Sequence, residues 1–272
     1  MSIRHWVTSG SMTLSLSLSL LTCPVFADCS ALPGFLALKA ALTSAVAAHN
    51  GGLGFNMWGT LVANDGTVCA VAFSGGDFTA QWLGSRVISA QKANTANDFS
   101  LGAGTPPTSA FPNGLALSTA NLYSAVQPGG SLYGLQHSNP VSTAVAYDNG
   151  GDQGNGIAFG TANDPMVGRR IGGVNVFGGG LGLYRKGMKI GGVGVSGDTS
   201  CADHNIAWRV RNILGLDQLG AVGGVSGDSK RPDNIIFDIT PNPNGGTGIS
   251  AGGFGHPTCL NTVPVNNLPP VH

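Results

Sequence analysis

The sequence predicts an α+β fold: an antiparallel sheet of about five strands with helices packed on it. Two observations lead there. Apolar runs come in pairs joined by Asn-Asp-Gly and Arg-Lys-Gly, which reads as hairpins and so as antiparallel pairing. The segments around those pairs repeat apolar residues at helical spacing. The order helix, hairpin, helices, hairpin, helix then implies helices clustered on one covered face.

Residues 1–27 stand apart from this domain. Arg4 and His5 give a weakly positive start, Met12 to Leu21 alternates Leu and Ser, and Val25 and Ala27 occupy the −3 and −1 positions of a small-residue cleavage site. That predicts a cleaved signal peptide, Asp28 as the mature N-terminus, and a periplasmic or secreted protein. The period of 2 also suits an amphipathic strand, but its N-terminal place favours the leader. "LLTC" before Pro24 loosely resembles a lipobox at Cys23, with Thr22 where Gly or Ala is usual. No later apolar run approaches the ~18 residues that span a bilayer.

The elements follow in order. Phe35 to His49 reads as a helix, with Phe35, Leu38, Leu42, Val46 and His49 on one apolar face and Asn50-Gly51-Gly52 as its stop. Phe55–Ala63 and Thr67–Ser74 form a hairpin about Asn64-Asp65-Gly66. Helices are predicted over Thr79–Phe99 and Leu115–Val126. Residues 130–173, rich in Gly, Asn, Asp and Ser, read as an insertion with a small hairpin of its own. Val174–Tyr184 and Met188–Val195 make the second hairpin, turned at Arg185-Lys186-Gly187. Thr199 or Ser200 caps a helix to about Leu214. Residues 215–272 form a Gly/Pro/Asn-rich extension with one strand at Asn234–Ile239, leaving 28–214 as the main domain.

Lys and Arg number 13, as do Asp and Glu, and only 10% of residues are charged. A neutral chain lacks the basic face that neutralises phosphates, which argues against a nucleic-acid partner. Low charge also weakens the repulsion that keeps copies apart. Export would leave Cys29, Cys69, Cys201 and Cys259 in an oxidising compartment, an even number that favours two disulfides. Three pairings are open. Cys201–Cys259 with Cys29–Cys69 is preferred because the first would tie the C-terminal segment to the domain.

Gly192, Gly194 and Gly197 spell G-x-G-x-x-G, but the preceding strand is half of an antiparallel hairpin and no parallel strand follows. A dinucleotide loop needs a βαβ unit, so the spacing reads as a product of glycine content. Small residues in that strand permit close packing against a helix or a flat ligand. Gly194-Val195-Ser196-Gly197-Asp198 lacks the closing glycine of a nucleophile elbow. Asp203 and His204 are helix neighbours that do not face each other, which suits surface polarity better than a catalytic pair. His137, His204, His256 and His272 read as solvated. His49 differs, since it extends an apolar helix face; it suits either a helix C-terminus or a ligand role.

Several motifs together resemble the GlcG/HbpS family of haem-binding proteins, which also supplies the C-terminal domain of PduO-type proteins. "QKANTANDF" resembles the family's D-K-A-x-T-A-x-x-F helix. "FGGGLGLYRKGMKIGGVGVSGDTSCADHNIA" resembles its F-P-G-G-x-P-L strand-turn-helix run. The resemblance covers roughly residues 35–214, minus the insertion. It implies a five-stranded antiparallel sheet in profilin/PAS-like layering, non-covalent haem b, and assembly into homo-oligomers. Carried across by position, it implies a cofactor site drawn from Lys92, Thr95, Gly179, Gly180, Ser196 and Asp203. One family mode ligates iron through a histidine of the first helix, which makes His49 the axial-ligand candidate. The chain departs from the pattern at Phe73–Asp77, "FSGGD" for "RMDGA", and at Gly178 and Gly182, each a proline in the family. Those positions touch the ligand pocket.

The leading expectation is therefore an exported carrier, buffer or sensor of haem or another small flat ligand. A structural assembly protein on the same fold is the second. An organic-acid enzyme ranks last, because no nucleophile, base and orienter are visible together.

Overall fold

The computed structural model describes residues 29–106, 108, 110–148 and 156–272; the expected leader, its expected cleavage site and Cys23 lie outside them. Helix α1 spans Phe35–Val46, strands β1 and β2 span Trp58–Ala63 and Val68–Phe73, and helix α2 spans Ser85–Asp98. Strands β3 and β4 span Gly180–Arg185 and Met188–Ser196, and helix α3 spans Ser200–Ile213. The four strands form one antiparallel sheet in the order β2-β1-β4-β3. It has four strands where about five were expected. The chain after α3 takes the β3 edge instead: Tyr184 N–H donates to Leu216 O at 2.8 Å and Gly187 N–H to Gln218 O at 2.8 Å. That covers an edge which would otherwise recruit another chain.

Helices cover both faces rather than one. Leu61, Leu181, Leu183, Val193 and Val195 point toward α1 and α3, where Leu38, Leu42 and Trp208 complete the larger core. Trp58, Val62, Val68 and Val71 face the other way, against Val87, Ala90 and Ala93 of α2. Every residue of β1 is buried, as a strand between two layers requires. Each large apolar side chain withdrawn from water here contributes about 1.5–3 kcal/mol.

Glycine decides how closely α2 approaches. A Cβ at Gly192 would overlap Ala93 O, one at Gly194 would overlap Ser89 O, and one at Gly180 would overlap Lys92 O. The G-x-G spacing is a seat for a helix backbone. Both hairpins form where the turns predict: Gly66 has φ 81°, and Lys186 and Gly187 have φ 51° and 77°.

Other elements differ from expectation for local reasons. The helix expected from Thr79 starts at Ser85, because Asp77 caps a separate 3-10 turn at Phe78–Ala80. Leu115–Val126 is not a helix: Leu115 exchanges backbone bonds with Leu101, and Ser118 and Asn121 form a capping box that starts a 3-10 turn. Val174–Phe177 stays irregular before β3. Most of Asn234–Ile239 is also irregular, and only Ile239–Thr240 pairs, with Ile249–Ser250. The insertion's hairpin reduces to one antiparallel bridge, Val141–Gly172, among the described residues. Its Met166 and Ile171 pack beneath α2 with Trp58.

The cysteines pair as Cys29–Cys69 and Cys201–Cys259. The first ties the turn at Cys29–Ala31 to β2 and the second ties the extension to α3. No helix among the described residues is long and apolar enough to cross a membrane.

Candidate functional site

The motif residues converge, but in the interior. Lys92 of α2 points across β4 to Asp203 of α3, with Nζ to Oδ2 at 2.6 Å and both side chains essentially inaccessible. Lys92 Nζ also donates to Val195 O at 3.2 Å and lies 4.3 Å from the Phe177 ring centre. Asp203 Oδ1 accepts from the Asp198 N–H at 2.9 Å. Burial pushes the Asp203 carboxyl up to about 6 and the Lys92 amine down, and each partner's charge opposes the other's shift. Gly179 and Gly180 make room for the pair, and Thr119 Oγ1 accepts from the Gly180 N–H at 2.9 Å. Thr95 accepts from the Asn175 N–H at 2.9 Å, and Ser196 sits at the end of β4 opposite Trp58. Lys92, Thr95, Ser196 and Asp203 are all buried. Together they form a clasp joining α2, the sheet and α3, and no described cleft is lined by them.

His49 lies elsewhere. Helix α1 stops at Val46, because Asn50 Nδ2 donates to Ala45 O at 2.9 Å and Ala48 O at 2.8 Å and ends the helix. His49 is therefore beyond the helix and exposed, not on its apolar face. It opens onto a cleft of about 600 Å³ with Asn50, Gly52, Leu53, Asn261 and Val263. Among the described residues nothing hydrogen-bonds its ring. Asp198 holds this loop by accepting from the Leu53 N–H at 2.8 Å and the Phe55 N–H at 3.1 Å. Leu53, which lines the cleft, is exposed, as are Phe55, Trp82 and Leu83, with the Phe55 and Trp82 rings edge to face at 5.3 Å.

A second cleft, of about 560 Å³, is walled by Phe35, Phe73, Phe78 and Phe159 beside Gly75, Gly76 and Asp77. It forms at the "FSGGD" segment, Phe73–Asp77. Lys39 lies in it, donating to Phe73 O and to Gly75 O, and partial burial lowers its pKa. No His, Cys, Met or Tyr is among its described lining residues.

Two histidines read as solvated are buried. His204 is wholly inaccessible beside Asn234, whose Oδ1 lies 3.1 Å from its Nε2. Its Nδ1 has no partner. Asp203 likewise is interior, not surface. The extension folds over α3 and seals that side. His256 is 2% exposed, with Nδ1 2.7 Å from Pro257 O and Nε2 2.9 Å from Ser200 Oγ. Burial pushes the rings of His204 and His256 down to about 4. Sequence reasoning missed His256 and Lys39. The spacing His256-Pro-Thr-Cys259 is a signal only once Cys259 is known to lie at the start of α3, which ordering by periodicity does not reveal.

No family model matches the chain, and no curated protein matches it. Among solved structures it is similar to a PduOC–haem complex, at 22% identity and TM-score 0.40 over 66% of this chain and 90% of that one. It is similar to the Klebsiella pneumoniae protein ORFY, at 23% identity and TM-score 0.41 over 67% and 90%. It is also similar to HbpS, at 13% identity and TM-score 0.36 over 79% and 99%. PduOC and HbpS are of the group that the chain's motifs resemble.

Proposed function

We propose that the protein binds haem b non-covalently as an exported carrier, buffer or sensor, with His49 as the axial ligand. The observation that carries this reading is an exposed imidazole, without a hydrogen-bond partner among the described residues, on the rim of a cleft that Leu53 and Val263 also line. Haem needs a Lewis base for iron and an apolar surface for its ring. The His49 cleft would offer both, with Leu53 and Val263 against the ring. The phenylalanine cleft offers the better walls but none of the four common axial residues among its described lining. Bound haem iron would supply one-electron redox chemistry; the chain's own part is to hold it and limit its exposure to water. The Lys92–Asp203 clasp serves this site indirectly, by fixing α3 and the Asp198 turn that anchors the His49 loop.

The test is a titration of the purified mature chain with hemin. The reading expects a saturable Soret shift at one equivalent, which His49→Ala weakens at least tenfold and Lys39→Ala leaves unchanged. No shift in the wild-type chain refutes haem binding, and an unchanged titration in His49→Ala refutes the ligand assignment.

The apolar patch also favours a second reading, an assembly protein in which Leu53, Phe55, Trp82 and Leu83 seat a second copy of the chain. Light scattering should then give an oligomer that Trp82→Ser dissociates, whereas a wild-type monomer at high concentration rejects it.

A further inference from the structure

The start of α3 and the extension bring Cys201 Sγ, Cys259 Sγ and a ring nitrogen of His256 within 4.8 Å of one another. Two of these atoms are joined as a disulfide. We propose that Cys201, Cys259 and His256 form a redox-gated site for a divalent zinc-like ion, closed while the disulfide stands and opened by a thiol reductant.

The surroundings favour the reduced, thiolate form at Cys259. Its sulfur accepts from the Cys201 N–H at 3.2 Å, a first-turn amide of a 14-residue helix, and lies 3.5 Å from Ser200 Oγ. The amide hydrogen bond strengthens when the acceptor becomes an anion, and a helix N-terminus favours negative charge. Cys259 is half-buried whereas Cys201 is buried, so an external thiol attacks the Cys259 sulfur and expels Cys201, and a second reductant thiol then attacks the reductant sulfur of the mixed disulfide and expels Cys259 as the thiolate. Two thiols of the reductant are oxidised to its disulfide as Cys201 and Cys259 become two thiols. Metal binding then releases their two protons.

His256 is held as a third ligand. Its backbone N–H donates to Ile236 O at 2.7 Å. Pro257 O, 2.7 Å from Nδ1, accepts a hydrogen bond from the Nδ1–H and leaves the Nε2 lone pair facing Ser200 Oγ, which itself lies 3.5 Å from Cys259 Sγ. Metal-bound histidines are oriented in this way, through the other ring nitrogen. Two thiolates and one imidazole match zinc's preference for sulfur and nitrogen, with a fourth position left to Ser200 Oγ or water.

The full mature chain, reduced by a phosphine without oxygen, is titrated with Co2+ as a zinc surrogate. One equivalent should bind with thiolate-to-cobalt charge-transfer absorption, and the oxidised chain should show none. His256→Ala should weaken binding at least tenfold, while Cys29→Ser/Cys69→Ser keeps the absorption. In parallel, Zn2+ should protect Cys201 and Cys259 from alkylation and leave Cys29 and Cys69 reactive, as read by mass spectrometry. The proposal fails if the reduced chain shows no absorption or if His256→Ala binds equally well. It also fails if Zn2+ protects all four cysteines alike, or if reduction unfolds the chain and metal does not restore it by circular dichroism.

Discussion

Replacing Lys92 with Met tests whether the motif residues act as a structural clasp. The change keeps most of the side chain's length and apolar stem but leaves the Asp203 carboxylate buried. Asp203 would then retain the Asp198 N–H at 2.9 Å and lose its bond to Nζ at 2.6 Å. Removing one partner of a buried pair costs about 3–5 kcal/mol, a large part of the ~5–15 kcal/mol that stabilises a domain. With a urea slope of roughly 3 kcal/mol per molar, the unfolding midpoint falls by about 1–2 M. Trp58 and Trp208 are both buried, so tryptophan fluorescence reports the transition. Asp203→Leu should cost about as much by stranding the ammonium. The double variant should lose at least ~2 kcal/mol less than the sum of the singles, because neither charge is then stranded. A single variant losing under ~1 kcal/mol, or strict additivity, would refute the clasp.

Acidification should destabilise the fold. His204 and His256 titrate near 6.5 when unfolded and near 4 when folded, so between those values the unfolded chain binds more protons. Stability present above pH 6.5 is lost as pH falls toward 4, by up to about 3 kcal/mol for wholly buried His204. Asp203, pushed up to about 6, acts in the opposite direction and offsets part of this. Thermal melts from pH 7 to 4 should show the melting temperature dropping, more steeply in Lys92→Met/Asp203→Leu; a flat profile contradicts the buried neutral rings. Gly194→Ala should prevent folding or leave insoluble protein, since its methyl meets the backbone at Ser89 and Ala93. Gly215→Asn, at φ +64° with nothing within 4 Å, should change stability by about 1 kcal/mol or less. Equal solubility and melting of the two glycine variants would show that α2 does not seat on glycine.

The sequence by itself determined the hairpins, three of the helices and the sheet's antiparallel sense. Asp-Gly and Lys-Gly turns and helical periodicity are local, and local chemistry is enough to specify them. The resemblance to the GlcG/HbpS motifs, and not residue chemistry, marked Lys92, Gly179, Gly180 and Asp203 as a set. What that set does was decided by tertiary structure alone. An ionic residue reads as surface or site until one knows that its partner, 111 residues away, meets it in the interior. The same limit hid the second helix layer, because β1's unbroken burial requires α2 on one side and α1 with α3 on the other. His49 shows the reverse: periodicity extended the helix onto it, but the Asn50 side chain takes the last carbonyls and turns the ring out to water. The extension was legible only as composition. Its fold over α3, which brings His256 beside Cys201 and Cys259, depends on a disulfide joining residues 58 apart, a distance no local pattern spans.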